Sequence, residues 1–196
     1  MSSSVGILGG SFDPVHNAHL AVARTALTGL GLAALRWIPS GTPPHRAAPV
    51  ASADHRAAMI RLAISNEPRF VLDERELRKS SPAYTVETLE ELRSDLGPQT
   101  DLVLLLGADQ YARLDTWHRW EDLFSLARIA VFARPGLVLG DTSRVSVVPM
   151  PPLDISSTMI RERIAAGRPA RGLLPDTVLD YIESHRLYSS LERTTR

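Results

Sequence analysis

Short apolar runs alternate with amphipathic segments along the whole chain, and that alternation predicts an α/β protein built on a parallel sheet. The runs Val5 to Gly9, Leu35 to Ile38, Phe70 to Asp73, Leu102 to Leu106, Arg128 to Ala133 and Val145 to Pro149 mostly lack polar alternation. Strands of that kind are buried on both faces. Between them, Leu20, Ala23, Leu27 and Leu30 share one helical face that ends at Gly29 and Gly31, and Met59, Ile60, Ala63 and Ile64 form a second stripe. Val86, Leu89, Leu92 and Leu96 form a third, stopped by Gly97-Pro98, and Trp120, Leu123 and Phe124 indicate a shorter helix before the fifth strand. Ser156-Ser157-Thr158 opens a helix that carries Met159, Ile160 and Ile164 and closes at Gly167, and Pro175-Asp176 opens another with Val178, Leu179 and Ile182. The expected fold is a doubly wound, mostly parallel, Rossmann-like sheet with helices on both faces and a small C-terminal helical extension. Residues 1 to 188 are expected to form one domain, with 189 to 196 a frayed tail.

Composition narrows the function classes. The 196 residues are 44% hydrophobic and 22% charged, which excludes a mainly disordered chain or a fibrous repeat. Twenty-two basic residues balance 22 acidic ones, so no general field attracts nucleic acid or an anionic membrane, and any bound anion must be held by a local site. The absence of cysteine removes disulfide scaffolds, thiolate metal sites and cysteine nucleophiles, and agrees with a reducing cytoplasm. The start has no basic n-region, and the purest apolar run, Leu102 to Leu106, is far short of the roughly 18 residues a membrane span needs. The expectation is a cytoplasmic protein with no membrane partner; a homo-oligomer stays compatible with the sequence.

A doubly wound sheet binds its ligand at the carboxyl ends of its strands, so the loops after strands are where chemistry should lie. The first is Gly9-Gly10-Ser11-Phe12-Asp13-Pro14-Val15-His16-Asn17-Ala18-His19-Leu20. Paired glycines let the backbone approach a ligand, and a helix N-terminus adds free N–H groups and a positive dipole end, which together make an anion cradle. The run is neither G-x-G-x-x-G nor G-x-x-x-x-G-K-[ST], so the usual dinucleotide and P-loop fingerprints are absent. His16 and His19, three apart, share a face. As zinc ligands they lack the HExxH spacing and any cysteine; as structural residues they would cap the helix or lie on the surface; beside a glycine pair in the first loop, phosphate contacts through imidazole N–H groups are favoured.

The run GGSFDPVHNAHL resembles the HxGH signature of the nucleotidylyltransferase superfamily, and four later segments resemble its nicotinate-nucleotide adenylyltransferase family. Pro39-Ser40-Gly41-Thr42-Pro43-Pro44-His45-Arg46 resembles PxGxPPHK, and Ala83-Tyr84-Thr85-Val86-Glu87-Thr88-Leu89 resembles SYTxxTL. Gly107-Ala108-Asp109 with Leu114 and Trp117 resembles GxDxxxxLxxW, and Asp154-Ile155-Ser156-Ser157-Thr158-Met159-Ile160-Arg161 resembles the ISSTxIR element. Ala18, Arg46 and Ala83 depart from the pattern, replacing glycine, lysine and serine.

The resemblance implies adenylyl transfer from ATP to nicotinic acid mononucleotide in NAD biosynthesis, with Mg²⁺ carried by the triphosphate. Alternatives are adenylyl transfer to nicotinamide mononucleotide or phosphopantetheine, or a non-catalytic nucleotide-binding module. His16, His19, Arg46 and Arg161 would be the catalytic set. Gly9, Gly10, Ser11, Phe12, Ser156, Ser157 and Thr158, with His16, His19 and Arg161, would hold ATP. Arg46, Tyr84, Thr85, Gly107, Asp109, Trp117, His118 and Arg134 would receive the mononucleotide, with no protein metal ligand. A phosphate monoester has its second pKa near 6, so it is already a nucleophile at about neutral pH and needs no general base. Its chemistry therefore asks for positioning and charge stabilisation, which suits loops without a Ser-His-Asp set.

Overall fold

The computed structural model describes residues 4–41, 48–133, 139–151 and 153–189. Six strands, β1 Ser4–Gly10, β2 Ala34–Pro39, β3 Phe70–Leu72, β4 Asp101–Gly107, β5 Arg128–Ala133 and β6 Val145–Pro149, form one sheet in the order β3-β2-β1-β4-β5-β6. Every neighbouring pair is parallel, from Val5 opposite Ala34 to Ala133 opposite Pro149. The helices are α1 Asn17–Gly29, α2 Ala53–Ile64, α3 Thr85–Leu96, α4 Ala108–Tyr111, α5 Leu123–Leu126, α6 Ser157–Ala165 and α7 Asp176–Ser184.

Alternate strand residues feed two cores, as a pleated sheet covered on both faces requires. Leu8, Leu35, Trp37, Val103, Leu105 and Phe132 point into the layer that takes the apolar faces of α1, α2, α6 and α7. Val5, Ile7, Ile38, Leu104, Leu106 and Val131 point into the layer of α3 and α5. The doubly wound fold expected from the apolar runs is therefore the one formed, with strand ends within a residue of the expected ones. Gly97 ends α3 with φ +83°, the left-handed conformation that made Gly97-Pro98 a stop signal.

The C-terminal extension is bolted to the loop between β1 and α1. Asn17 donates its backbone N–H to Leu173 O at 3.0 Å and its side-chain amide to Gly172 O at 2.9 Å. Ser157 Oγ donates to Pro14 O at 2.9 Å, and Arg161 to Asp13 O at 2.7 Å. Tyr188, just past α7, is buried as well. Of the expected tail, 190–196 lies outside the described residues.

Candidate functional site

Strand order reverses between β1 and β4: the chain runs outward through β2 and β3, then returns to the other side of β1. Helices leave the two strand ends on opposite faces, which opens a crevice at their carboxyl ends. A cavity of about 740 Å³ lies there. All five motif segments reach it. Gly9, Gly10 and Ser11 come from the first loop and Ser40 and Gly41 from the end of β2; Ser157, Thr158 and Arg161 come from the first turns of α6. Tyr84, Thr85 and Thr88 come from the start of α3, and Arg113, Trp117 and His118 from the turns that follow α4.

The wall at the first loop is shaped by backbone more than by side chains. Phe12 adopts φ +48°, a conformation costing a non-glycine residue on the order of 1 to 3 kcal/mol. Its fully buried ring offsets that cost, packed 5.4 Å from Trp37 and 5.0 Å from His19 between ring centroids. The strained turn keeps Ser11 at the cavity. Arg56, buried on α2, donates to Ser11 O at 2.8 Å and Ser40 O at 2.9 Å, tying the ends of β1 and β2 together. At Gly41 a Cβ would collide with the Glu76 carbonyl oxygen, so no other residue fits there without a backbone shift.

His16 and His19 stand at the start of α1 with rings stacked at 3.7 Å and 22°. His19 Nδ1 accepts the His16 backbone N–H at 3.2 Å, which leaves the proton of a neutral ring on Nε2 as a free donor. His16 Nδ1 is buried without a partner among the described residues, a cost an incoming acceptor would relieve. Burial pushes the His16 pKa down to about 4, and burial followed by the neighbouring His16 holds His19 well below the usual histidine range. Both rings are therefore neutral donors at pH 7 in the free protein.

The His16 shift has a measurable consequence. Unfolded histidine binds its proton near pH 6.5 and folded His16 only near 4, so between those values the unfolded state holds more protons and stability falls as pH falls. The stabilisation is complete above about pH 6.5, and the loss across the window is on the order of 3 kcal/mol. Melting curves from pH 7.5 to 4.5 should therefore fall more steeply for the parent than for His16→Asn; parallel curves would show that His16 titrates normally.

At the opposite wall, Tyr84 precedes α3 and Thr85 begins it, so free N–H groups and the positive dipole end of a 12-residue helix open on the cavity. Trp117 is half-buried, and the Tyr84 and His118 rings lie 4.5 Å apart. Glu76 also lines this wall. Its Oε1 accepts the Thr88 hydroxyl at 2.7 Å, and burial raises its pKa.

Not every residue expected at the site lines the cavity. His16 and His19 stand at the start of α1 and Phe12 is fully buried, and none of the three is part of the wall. Ser156 caps α6, its Oγ accepting the Met159 N–H at 3.2 Å. Gly107 and Asp109 are exposed outside the lining; successive residues of α4 turn by 100°, so Gln110 faces inward where Asp109 does not. Arg46 and Arg134 lie outside the described residues. Sequence reasoning missed Arg56, Glu76, Gln110 and Tyr188. Of these only Gln110 lies inside a motif segment, Gly107 to Trp117.

A parallel sheet with a glycine-rich first loop and a serine-rich late helix facing one crevice, and a histidine pair where that loop enters α1, defines a nucleotidyltransferase type of site. A model of the cytidylyltransferase-like family matches residues 7–163. A protein of Dechloromonas aromatica named as a probable nicotinate-nucleotide adenylyltransferase is 45% identical, covering 96% of this chain and 99% of its own. A Laribacter hongkongensis protein of the same name is 44% identical, covering 95% of both. The fold is shared with Plasmodium falciparum nicotinic acid mononucleotide adenylyltransferase complexed with NaAD, at TM-score 0.77 and 19% identity over 95% of this chain and 97% of that one. Within the cytidylyltransferase-like proteins, this chain belongs to the nicotinate-nucleotide adenylyltransferase family. No helix among the described residues is long and apolar enough to cross a membrane.

Proposed function

We infer that this chain transfers the adenylyl group of ATP to nicotinic acid mononucleotide in the cytoplasm, giving nicotinic acid adenine dinucleotide and pyrophosphate for NAD biosynthesis. One observation carries the reading: a single cavity has the Gly9 to Ser11 loop and the first turns of α6 on one wall and a helix N-terminus with Tyr84, Thr85 and Trp117 on the other. Two substrates, one a triphosphate and one carrying a pyridine carboxylate, require such a pair of walls.

A mononucleotide phosphate oxygen attacks the α-phosphorus of ATP, the bond from that phosphorus to the bridging oxygen breaks, and pyrophosphate leaves with the electron pair. Ser11 and the backbone of Gly9 to Phe12 would cradle the triphosphate, and Ser157, Thr158 and Arg161 would take its outer phosphates. Arg161 Nη1 is spent on Asp13 O, which aims the rest of the guanidinium. The histidine N–H groups would face the α-phosphorus, where charge grows as the fifth ligand arrives. Ser157 Oγ is already committed to Pro14 O, so that residue would contribute its backbone N–H and hold the loop. Trp117 would stack on the pyridine ring, and Thr85 with the free N–H groups of α3 would receive the carboxylate. Arg46 and Arg134 keep the mononucleotide-binding roles the resemblance implies.

The cavity's donors include N–H groups, hydroxyls and the guanidinium groups of Arg113 and Arg161, which suit phosphate oxygens; they fit Mg²⁺ ligated by those oxygens and by water. When bound, that ion would neutralise charge on the leaving pyrophosphate.

The direct test is pyrophosphate release by the purified chain with Mg²⁺, ATP and, in turn, nicotinic acid mononucleotide, nicotinamide mononucleotide and phosphopantetheine. The first should be turned over fastest. Binding of ATP without turnover of any acceptor would overturn the reading in favour of a non-catalytic module.

Ala18 sits on the first turn of α1 between the two histidines, where the family motif has glycine. Ala18→Gly should raise kcat/KM a few-fold by removing a methyl group beside the phosphate path. It should also lower the melting temperature, since glycine in a helix costs up to about 1 kcal/mol. An unchanged kcat/KM would show that the loop already accommodates the methyl group.

A further inference from the structure

We propose that Tyr188, a residue outside the cavity and beyond the last helix, is a positioning residue for ATP binding: its hydroxyl holds the Asp13 carboxylate and, through it, the Arg161 guanidinium. The inference rests on the reading that Arg161 contacts ATP phosphates.

Asp13 is 3% exposed and gathers three other parts of the chain. Its side chain accepts the N–H groups of Val50 at 2.7 Å and Ala51 at 3.0 Å, and the Tyr188 hydroxyl at 2.7 Å. Its main-chain oxygen accepts Arg161 Nη1 at 2.7 Å, and the same nitrogen stands 3.8 Å from the carboxylate. Asp13 and Arg161 both line the cavity, so Tyr188 reaches it in one step at Asp13 and in two at Arg161.

Three features argue that this contact is built rather than incidental. Tyr188 adopts φ +64°, a conformation non-glycine residues hold only where surrounding contacts over-determine it. Its ring is 6% exposed and belongs to the same core as Phe12 and Ile160, so the hydroxyl is delivered at a fixed point. Burial, and the Asp13 charge after it, push the phenol pKa up, so the group stays a donor at any working pH. Removing that donor leaves a buried carboxylate oxygen with one partner fewer, and such a group shifts to recover what it lost.

A tyrosine that only adds stability and one that positions Arg161 differ in what they change. Tyr188→Phe keeps the ring and removes the oxygen. The expected result is a roughly tenfold weaker Kd for Mg·ATP by calorimetry and a matching rise in the ATP KM, with the KM for nicotinic acid mononucleotide within about twofold of the parent. A folded Tyr188→Phe with a lower melting temperature and an unchanged ATP Kd overturns the proposal.

Coupling between two sites is reciprocal, so ATP must tighten the latch as the latch tightens ATP. Should the variant not fold, hydrogen exchange on the parent decides. Amide exchange at Arg186 to Ser189 should slow on addition of Mg·ATP or inorganic tripolyphosphate and stay unchanged with the mononucleotide alone. No protection with either polyphosphate overturns the proposal. Both measurements read binding, so a parent that failed to transfer adenylyl groups would sink the assigned reaction and leave the latch standing. A parent that turned over with a Tyr188→Phe indifferent to ATP would do the reverse.

Discussion

The His19→Ala variant is expected to lose on the order of 100-fold or more in kcat, the usual cost of removing one donor aimed at developing charge. Its affinity for ATP should change far less. His19 Nδ1 is occupied by the backbone N–H of His16, so the ring presents Nε2–H at a fixed angle and needs no reorganisation when the phosphorus takes up its fifth ligand. A contact that strengthens on the way to the transition state acts on kcat, whereas one made equally to bound ATP acts on affinity. His16→Ala should lower both, since the buried Nδ1 of His16, without a partner among the described residues, is open to bound ATP as well as to the transition state. Single-turnover rates and calorimetric ATP affinities separate the two variants. A near-normal kcat for His19→Ala would remove that residue from the chemistry.

kcat/KM for nicotinic acid mononucleotide should exceed that for nicotinamide mononucleotide by at least about 100-fold. The two acceptors differ only in a carboxylate against a neutral amide on the pyridine ring. The start of α3 offers backbone N–H donors, the Thr85 hydroxyl and a positive dipole end. A carboxylate satisfies every donor with charge-assisted bonds, while the amide turns an NH₂ toward backbone N–H groups that can only donate, leaving the Thr85 hydroxyl as the one acceptor among them. A polar pocket left unpaired in this way can reject the wrong analogue by about 10⁴. Glu76 lies on the same wall, and its raised pKa limits the repulsion an ionised carboxylate there would exert on the substrate. Trp117→Ala should weaken both acceptors through lost stacking and keep their order. Equal turnover of the two acceptors would show that the start of α3 does not receive the carboxylate.

The sheet was legible because its strands are buried on both faces. Val5 to Gly9 and Leu102 to Leu106 are apolar without alternation, and they lie side by side at the centre, with Ser4 opposite Asp101 and Leu8 opposite Leu105. The four-residue helices were harder. A single turn such as Ala108–Tyr111 is too short to show a period, so nothing in the sequence indicated that Gln110, rather than the motif's Asp109, lines the cavity. Phe12 looked like part of a backbone cradle, and its ring proved to be a wedge that fixes a left-handed residue. The late serines, expected together at ATP, divide their side chains between other tasks: the Ser156 hydroxyl caps α6 and that of Ser157 grips Pro14. Tyr188 was invisible because its partner, Asp13, lies 175 residues away in the chain, and no local pattern reports a contact of that span.

The central pairing of β1 with β4 also governs the order in which the molecule can assemble. Ser4 Oγ bonds the Asp101 side chain across 97 residues, and the whole crevice depends on that junction. Closing so long a loop is entropically slow, and the contacts that reward it form only once it is closed. During synthesis β1, β2 and β3 therefore emerge together with one flank of β1 bare, and remain so until β4 leaves the ribosome. A chain interrupted before Asp101 would carry an exposed apolar strand edge, Val5 to Leu8, of the kind that recruits strands from other molecules. The same junction that opens the crevice makes the first half of the chain the part most dependent on the second for its solubility.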